Sequence, residues 1–239
     1  MNRPLDPELS KAVEFLRGAD PVLAPIIAKV GPCRIAYRRQ RFHALAESIL
    51  YQQVTGAAAA SIYKRLCALY AGRRFPRAAA LARTHPMRLR SAGLSRQKRR
   101  YLLDLARKVS SGALDLKTIS RLPDEEVIEQ LTRVKGIGRW TAEMFLIFCL
   151  KRLDVLPVDD LGLQKGVQEA YGFRSLPAAR TIRRIGEAWR PFRSIGTWYL
   201  WQSLNKKVDM IVTSDQRPVP GDQRPVTGQA TIPRLLFEG

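Results

Sequence analysis

The sequence has few of the residues that build disulfide frameworks and metal centres. It also has no apolar run long enough to span a membrane. Its 239 residues include three cysteines and two histidines, and Cys33, Cys67 and Cys149 lie far apart in the chain. This spacing predicts reduced thiols and no zinc site, and three cysteines cannot supply a four-cysteine iron–sulfur cluster. The longest apolar run, residues 144–150, is shorter than the ~20 residues that a membrane span needs. Because the first residues also lack the apolar core of a signal peptide, we expect a cytoplasmic protein.

Acidic residues are scarce relative to basic ones. The chain has 41 Lys and Arg against 21 Asp and Glu, which gives a formal net charge of +20. The excess lies in residues 1–208, because the segment from Asp209 onward has three Arg against four acids. This charge favours a polyanionic partner such as a nucleic acid. A generally basic proteome would give the same composition, so the charge alone leaves both interpretations open.

Strand-like alternation of apolar and polar residues is also scarce, and an apolar period near 3.6 predicts an all-α fold. We predict helices at 7–17, 20–30, 41–53, 57–71, 95–110, 124–131, 139–151, 161–171, 178–188 and 191–204. Residues 33–37 could form a short strand, but one that is too small to define a sheet. The sequence DQRPV occurs at 215–219 and again at 222–226, with Pro and Gly between, and this composition predicts a flexible tail over 209–239.

The central pattern is a helix end, a short turn with two glycines and a strongly apolar helix that begins near Arg139. The glycines permit a tight reversal and leave the backbone open to a ligand. The first N–H groups of the second helix favour an anion, and Arg139 adds a positive charge there. We therefore predict that the turn holds a nucleic-acid phosphate without reading bases, through Gly136, Ile137, Gly138, Arg139 and Thr141. An ordinary helical hairpin is the alternative.

A longer pattern surrounds these glycines. Val134, Ile137 and Ala142 complete the form hhx-G-h-G-x-x-[ST]-A, which resembles the helix-hairpin-helix motif. Asp160 follows Trp140 by twenty residues, and this pairing resembles the helix-hairpin-helix superfamily of DNA glycosylases. Trp140 and the later segment WRPFRSIGTWYLW make the chain similar to the 3-methyladenine DNA glycosylase II branch. The resemblance extends from about residue 42 to 204, roughly two thirds of the chain.

The resemblance implies two helical lobes with the active cleft between them. One lobe would combine residues 1–40 with 153–208, and the other would be a central bundle, 41–152, that ends in the hairpin. It also implies a monomeric, monofunctional enzyme of base excision repair that flips alkylated purines of the 3-methyladenine or 7-methylguanine type out of double-stranded DNA and excises them. No organic cofactor is implied, but the carbonyls of Val134 and Ile137 could bind a monovalent cation. Lys135 departs from the family pattern, because a proline often stands at this position, and we expect a looser turn.

Asp160 matches the family's catalytic position. A carboxylate there would stabilise the oxocarbenium character of the sugar and activate water. An Asp just before a helix is also a common N-cap, and we give Asp159 a structural or supporting role. Trp140 stands where bifunctional relatives have the lysine that forms a Schiff base, so the resemblance implies an enzyme without lyase activity.

Further residues are assigned to base binding and DNA contact by the same match. Aromatic rings attract a cationic base, and the pocket candidates are Trp140, Trp201 and, with less support, Tyr51 and Trp198; burial in the core is the alternative for all of them. The break between two helices near residue 53 would supply the residue that fills the space of the flipped nucleotide, with Gln53 and Val54 as candidates. Other candidates for phosphate contact are Lys165, Arg193 and the basic run at 95–100, which could equally be a solvated charged face.

Two other functions remain open from the sequence. A non-catalytic helix-hairpin-helix module would bind DNA without needing Asp160 or Trp140. A bifunctional glycosylase/lyase for oxidised bases would need an amine in the place of Trp140.

Overall fold

The computed structural model describes the backbone of residues 6–214 and the side chains of 6–72 and 74–205. Over these residues the chain forms twelve α-helices and three short 3₁₀ helices, and no strand occurs. The α-helices are α1 (Pro7–Ala19), α2 (Leu23–Val30), α3 (Arg41–Tyr51), α4 (Gly56–Ala68), α5 (Ala78–Ala82), α6 (Pro86–Ser91), α7 (Arg96–Ser110), α8 (Asp124–Thr132), α9 (Arg139–Phe148), α10 (Leu161–Ala170), α11 (Ala179–Gly186) and α12 (Arg193–Ser214). The 3₁₀ helices are Ala71–Arg73, Ile119–Arg121 and Glu187–Trp189.

The prediction of an all-α fold is confirmed, with differences at several elements. Residues 33–37 form no strand. The helices α5 and α6 were not predicted, because with five and six residues they are too short to show an apolar period. The helix α12 continues to Ser214, beyond the predicted start of the tail at 209. Residues 215–239, with the repeated DQRPV segment, lie outside the described residues.

One compact unit is formed by residues 36–151. The helix α7 is central to it, since it packs against α3, α5 and α6, while α9 packs against α3 and α8. Almost the whole of α9 is buried, including Met144 and Phe148. This explains why its second half, residues 144–148, is apolar on all sides.

A second compact unit combines residues 6–35 with 152–214. In it, α12 packs against α2 and α10. A buried carboxylate joins the two chain segments, because Asp20 accepts hydrogen bonds from the indole Nε1 of Trp189 at 2.7 Å and from the phenol of Tyr171. Its other oxygen accepts the N–H of Val22 at 2.8 Å. The charge of Asp20 is therefore surrounded by donors, as a buried carboxylate requires.

The three cysteines are free thiols, as predicted. Burial raises the pKa of Cys33 and of Cys149 to about 12, and it also raises the pKa of Cys67. Over the described part of the chain, no helix combines the length and the apolar character that a membrane span requires.

Candidate functional site

The predicted hairpin joins α8 to α9. Its two apolar residues, Val134 and Ile137, are 1% and 4% exposed and anchor the turn in the core. Gly138 is the N-cap of α9, and no side chain of the described residues caps this helix. The first turn of α9 therefore presents backbone N–H groups with the positive end of the helix dipole, which is the arrangement that suits a phosphate.

Gly136 is the position where the turn requires glycine. Its φ of +84° lies in the left-handed region, and a Cβ atom there would lie 2.1 Å from Cδ2 of Tyr101. By contrast, a Cβ atom on Gly138 would meet nothing within 4 Å. The ring of Tyr101 thus lies directly against the turn, and the Tyr101 hydroxyl accepts a hydrogen bond of 2.7 Å from Gln97.

The side chain of Arg139 forms ion pairs with two glutamates of the same chain. Its guanidinium donates to both carboxylate oxygens of Glu125, at 2.6 and 3.0 Å, and to Glu143 at 3.2 Å. The hydrogen bond with Glu125 raises the pKa of Arg139 and lowers the pKa of Glu125. The Thr141 side chain is buried. The phosphate-binding prediction therefore rests on backbone amides more than on these two side chains.

The predicted break between helices follows α3. Gln53 has φ of +54°, unusual for a residue other than glycine, and both Gln53 and Val54 are exposed. Thr55 caps α4, because its hydroxyl accepts the N–H of Ala58 at 3.3 Å. The side chains of Gln53 and Val54 thus lie outside the core.

Two side chains hold this break in a role that the sequence did not predict for them. Gln52 donates from Nε2 to the carbonyl of Gly136 at 2.8 Å, which connects the break to the hairpin. Lys98 donates from Nζ to the carbonyl of Leu50 at 2.5 Å, in the last turn of α3. Burial lowers the pKa of Lys98. Lys98 is therefore not part of a solvated basic face, although Arg96 and Arg100 are exposed. Ser95 caps α7.

Asp160 lies in the second unit and is 3% exposed. Its Oδ1 accepts the N–H of Leu163 at 2.6 Å, so it is the N-cap of α10. The same oxygen accepts the indole Nε1–H of Trp201 at 2.8 Å. The neighbouring Asp159 is exposed. The N-cap that the sequence offered as an alternative is thus present, and it fixes the orientation of the carboxylate.

The aromatic candidates have different environments. Trp201 is 1% exposed and Trp198 is 4% exposed, so both rings lie in the core of their unit. Trp201 contacts the candidate catalytic carboxylate through its N–H rather than through its π-face. Trp140, in the first turn of α9, and Tyr51, at the end of α3, are half-buried. Burial raises the pKa of Tyr51.

Of the two remaining basic candidates, Lys165 is exposed on α10, whereas Arg193 is engaged. The Arg193 guanidinium donates to the Asp154 carboxylate at 2.6 and 3.0 Å and to the Asp154 carbonyl at 2.9 Å. Arg193 therefore holds the segment before α10 to the start of α12.

The carbonyl of Val134, a candidate cation ligand, accepts the N–H of Ile137 at 3.1 Å. A carbonyl oxygen has two lone pairs, so this bond is compatible with a cation on the same atom. Among the side chains that the structure describes, no group of three or more His, Cys, Asp or Glu is arranged to hold a metal ion.

Residues 46–191 match the model of one family, the HhH-GPD superfamily of base excision DNA repair proteins. The matched range is more than half of the chain and includes the break, α7, the hairpin and Asp160.

Individual relatives are similar over most of their length. DNA-3-methyladenine glycosylase 1 of Schizosaccharomyces pombe is 33% identical over 199 residues, covering 82% of this chain and 87% of the relative. A solved 3-methyladenine DNA glycosylase of Schizosaccharomyces pombe, in complex with abasic DNA, is 32% identical with a TM-score of 0.72, over 82% of this chain and 97% of that one. A DNA-3-methyladenine glycosidase from Bacillus halodurans is 35% identical with a TM-score of 0.75, over 83% of this chain and 91% of that one.

Proposed function

The chain belongs to the HhH-GPD superfamily of base excision DNA repair proteins, and we propose that it is a monofunctional glycosylase that hydrolyses the N-glycosyl bond of alkylated purines in double-stranded DNA. The names of its relatives support the substrate class. The net charge of +20 supports DNA as the partner. An enzyme of this kind acts at the chromosome, which in a bacterium is the nucleoid within the cytoplasm.

The observation that supports catalysis best is the environment of Asp160. Its carboxylate is buried and is oriented by the Leu163 amide and the Trp201 indole. A DNA-binding module needs an N-cap, which an exposed Ser or Asn could provide equally well. It does not need an indole donor on a buried carboxylate. The arrangement is that of a pre-oriented negative group, which an electrostatic catalyst requires.

The chemistry suits a single carboxylate. A purine alkylated at N3 or N7 is cationic and is already a good leaving group, so no general acid is required. As the base departs, positive charge develops on the sugar, and the Asp160 carboxylate would stabilise it. The same carboxylate would then orient or deprotonate the attacking water.

The base must leave the helical stack before it can react. The hairpin would hold the DNA backbone through the amides at the start of α9. Gln53 or Val54 would fill the space that the flipped nucleotide leaves, since both side chains are exposed at the break. The half-buried rings of Trp140 and Tyr51 would contact the cationic base.

Trp140 supports the monofunctional assignment. A lyase needs an amine that attacks the sugar and forms a Schiff base, and an indole cannot do this. The product would be an intact strand with an abasic site. No organic cofactor is required for this hydrolysis. A monovalent cation would be held by the carbonyls of Val134 and Ile137, where it would place a positive charge beside a DNA phosphate.

The proposal is tested by incubating the protein with methylated duplex DNA and identifying the released bases by chromatography. Wild-type protein should release 3-methyladenine or 7-methylguanine, and Asp160→Asn protein should not. The strand should remain uncut until alkali is added, and borohydride should trap no protein–DNA adduct. Binding without any base release would favour a non-catalytic module, and an efficient trapped adduct would favour a lyase.

A further inference from the structure

The hairpin turn is held by a carboxylate from a distant helix. The backbone N–H of Lys135, in the middle of the turn, donates to Oδ2 of Asp104 at 2.8 Å. Asp104 belongs to α7 and precedes Lys135 by 31 residues. A proline at position 135 would have no N–H to donate. The lysine therefore introduces a backbone donor into the turn, and Asp104 provides its acceptor.

Asp104 is itself fixed by a neighbour on the same helix. Lys108, four residues later, donates from Nζ to Oδ2 of Asp104 at 2.5 Å and to the carbonyl of Arg133 at 3.0 Å. Burial alone would raise the pKa of Asp104, but the hydrogen bonds from Lys108 and from the Lys135 amide lower it by more. Lys108 thus connects the carboxylate with the end of α8, so α7 is bonded both to the end of α8 and to the turn.

Two other side chains of the same helix face reach neighbouring parts of the surface. The Tyr101 ring lies against Gly136, and Lys98 binds the Leu50 carbonyl before the break. Residues 98, 101, 104 and 108 are spaced by three, three and four positions, which places them on one side of a helix. We call Lys98, Tyr101, Asp104 and Lys108 the α7 brace.

We propose that Asp104 is a positioning residue for DNA binding, which holds the hairpin turn from the α7 brace in the conformation that receives a phosphate. The inference rests on the proposed function for its substrate, DNA, but not for the excision step. Asp104 would contact neither the phosphate nor the base. It would act through the Lys135 amide on the backbone that does.

The geometry predicts an effect on binding rather than on folding. The Asp104 and Lys108 side chains are 21% and 30% exposed, so water can replace a lost bond and the cost to stability is small. The turn would then sample other conformations, and binding would have to restore the productive one. Loss of pre-organisation of this kind lowers affinity without changing the chemical step.

The first experiment compares two substitutions at one position. Asp104→Leu removes the acceptor, whereas Asp104→Asn keeps an oxygen that can accept the Lys135 N–H. We expect Asp104→Leu to weaken binding to a duplex with an abasic site by about tenfold, the scale of one hydrogen bond, and Asp104→Asn to stay close to wild type. The rate of base release at saturating protein should be unchanged in both. Equal losses of affinity in the two variants would overturn the proposal.

Asp115→Leu is the matched control. Asp115 is an exposed carboxylate of the same unit that also accepts a backbone N–H, from Lys117 at 2.8 Å, but it lies outside the α7 brace and the hairpin. Its loss should leave DNA affinity unchanged. An Asp115→Leu defect as large as that of Asp104→Leu would show that losing a carboxylate–backbone bond elsewhere in the unit has the same effect, and it would also overturn the proposal.

A double-mutant cycle identifies the bond itself. Lys135→Pro removes the N–H donor and restricts φ at this position. In that background, Asp104→Leu should cost little further affinity, because no bond remains to be lost. The same tenfold loss in both backgrounds would contradict the inference. Should Lys135→Pro fail to fold, the comparison of Asn with Leu at position 104 decides alone.

The outcome is separable from that of the proposed function. If wild-type protein binds abasic DNA but releases no base, the glycosylase proposal fails while the Asp104 variants still test positioning. If wild-type protein releases bases and Asp104→Leu binds DNA as wild type does, the positioning role fails alone. Melting temperatures of all variants show whether a loss of binding comes from unfolding.

Discussion

The N-termini of α9 and α10 differ in whether a side chain caps their first backbone N–H groups. The helix α9 begins at Gly138 without a side-chain cap among the described residues, so its amides can receive an external anion. The helix α10 begins at Asp160, whose carboxylate accepts the N–H of Leu163. One helix end therefore suits a phosphate of the substrate, and the other already holds a negative group of the protein.

The groups that hold these two helix ends in place also differ in how far they are exposed to water. The turn before α9 is held by partly exposed groups of α7, whose bonds water can replace. The carboxylate before α10 is almost fully buried and is oriented by the indole of a buried tryptophan. This difference suggests a division of tasks. Binding tolerates an adjustable surface, whereas charge stabilisation requires a fixed group in a site with little water.

The largest effect is expected at the N-terminus of α10, which Asp160 caps. Asp160→Asn keeps the size of the side chain and removes its charge, so base release should fall by at least ~100-fold, the scale of losing a main electrostatic group. Affinity for abasic DNA should be similar or higher. Single-turnover release and a binding titration measure the two quantities. Asp159→Asn, at the exposed neighbour, should be close to wild type, and the reverse result would move the catalytic role to Asp159.

The next largest effect is expected at the turn before α9, the helix without a side-chain cap among the described residues. Gly136→Ala must adopt a positive φ, at a cost of roughly 1–2 kcal/mol, and its Cβ would clash with Tyr101. We expect DNA affinity to fall by about tenfold or more, equally for every sequence, because the contacts are to the backbone. Gly138→Ala should cost less, since its Cβ would meet no protein atom within 4 Å. Titrations with two unrelated duplexes measure both variants, and equal losses would mean that the phosphate, not Tyr101, excludes the side chain.

A smaller effect should come from the orientation of Asp160. Trp201→Phe keeps an aromatic ring and removes the N–H that binds Oδ1. We expect base release to slow by about tenfold, which is typical of one hydrogen bond to a charged group, with unchanged DNA affinity. Single-turnover release in the folded variant is the measurement. Trp198→Phe, at a buried tryptophan one turn away on α12, controls for lost packing. A defect of equal size in Trp198→Phe would mean that Trp201 acts only through packing in the core.

The smallest effect should come from the Glu125–Arg139 pair beside the uncapped end. Its side chains are 73% and 52% exposed, so Glu125→Gln should change the free energy of unfolding by less than ~1 kcal/mol. The pKa of Glu125 is lowered in the folded protein. The contribution of the pair is therefore present above the unfolded pKa and is lost as the pH falls through the folded value. Unfolding of wild type and variant should differ at neutral pH and converge in acid.

Glu125→Gln should also change DNA binding. In the Glu125→Gln variant, Arg139 keeps Glu143 as its acidic partner, and its charge becomes more available to a phosphate. Affinity should rise slightly, and the dependence of binding on salt should become steeper, by up to ~0.9 in the slope for one added phosphate contact. An unchanged slope would mean that Arg139 stays engaged within the protein.

Features that depend on neighbouring residues were predictable from the sequence. The glycines of the hairpin, the Ser95 cap of α7 and the Asp160 cap of α10 are each specified within four residues of chain. The longer helices follow from their apolar period. The helices α5 and α6 do not, because five or six residues cover fewer than two turns.

Contacts between distant residues were not predictable. The Trp201–Asp160 bond spans 41 positions and the Lys135–Asp104 bond spans 31, and no local pattern specifies such pairs. Lys98 gave a weak signal, since a lysine on the apolar side of α7 must find a buried acceptor. The sequence placed it instead in a basic run, for which a phosphate contact and a solvated charged face were both open. For a polar residue within an apolar helical stripe, the side of the helix on which it lies is thus a better guide to its role than the residues next to it in the sequence.

Cys33 and Cys67 are buried and Cys149 is half-buried, and these surroundings have a consequence for the durability of the protein. Thiolates, not thiols, react rapidly with electrophiles, and the raised pKa values of Cys33, Cys67 and Cys149 keep these groups protonated at neutral pH. The electrophiles that methylate DNA would attack a protein thiolate as well. A repair enzyme with inert thiols should therefore keep its activity under the same chemical stress that creates its substrate.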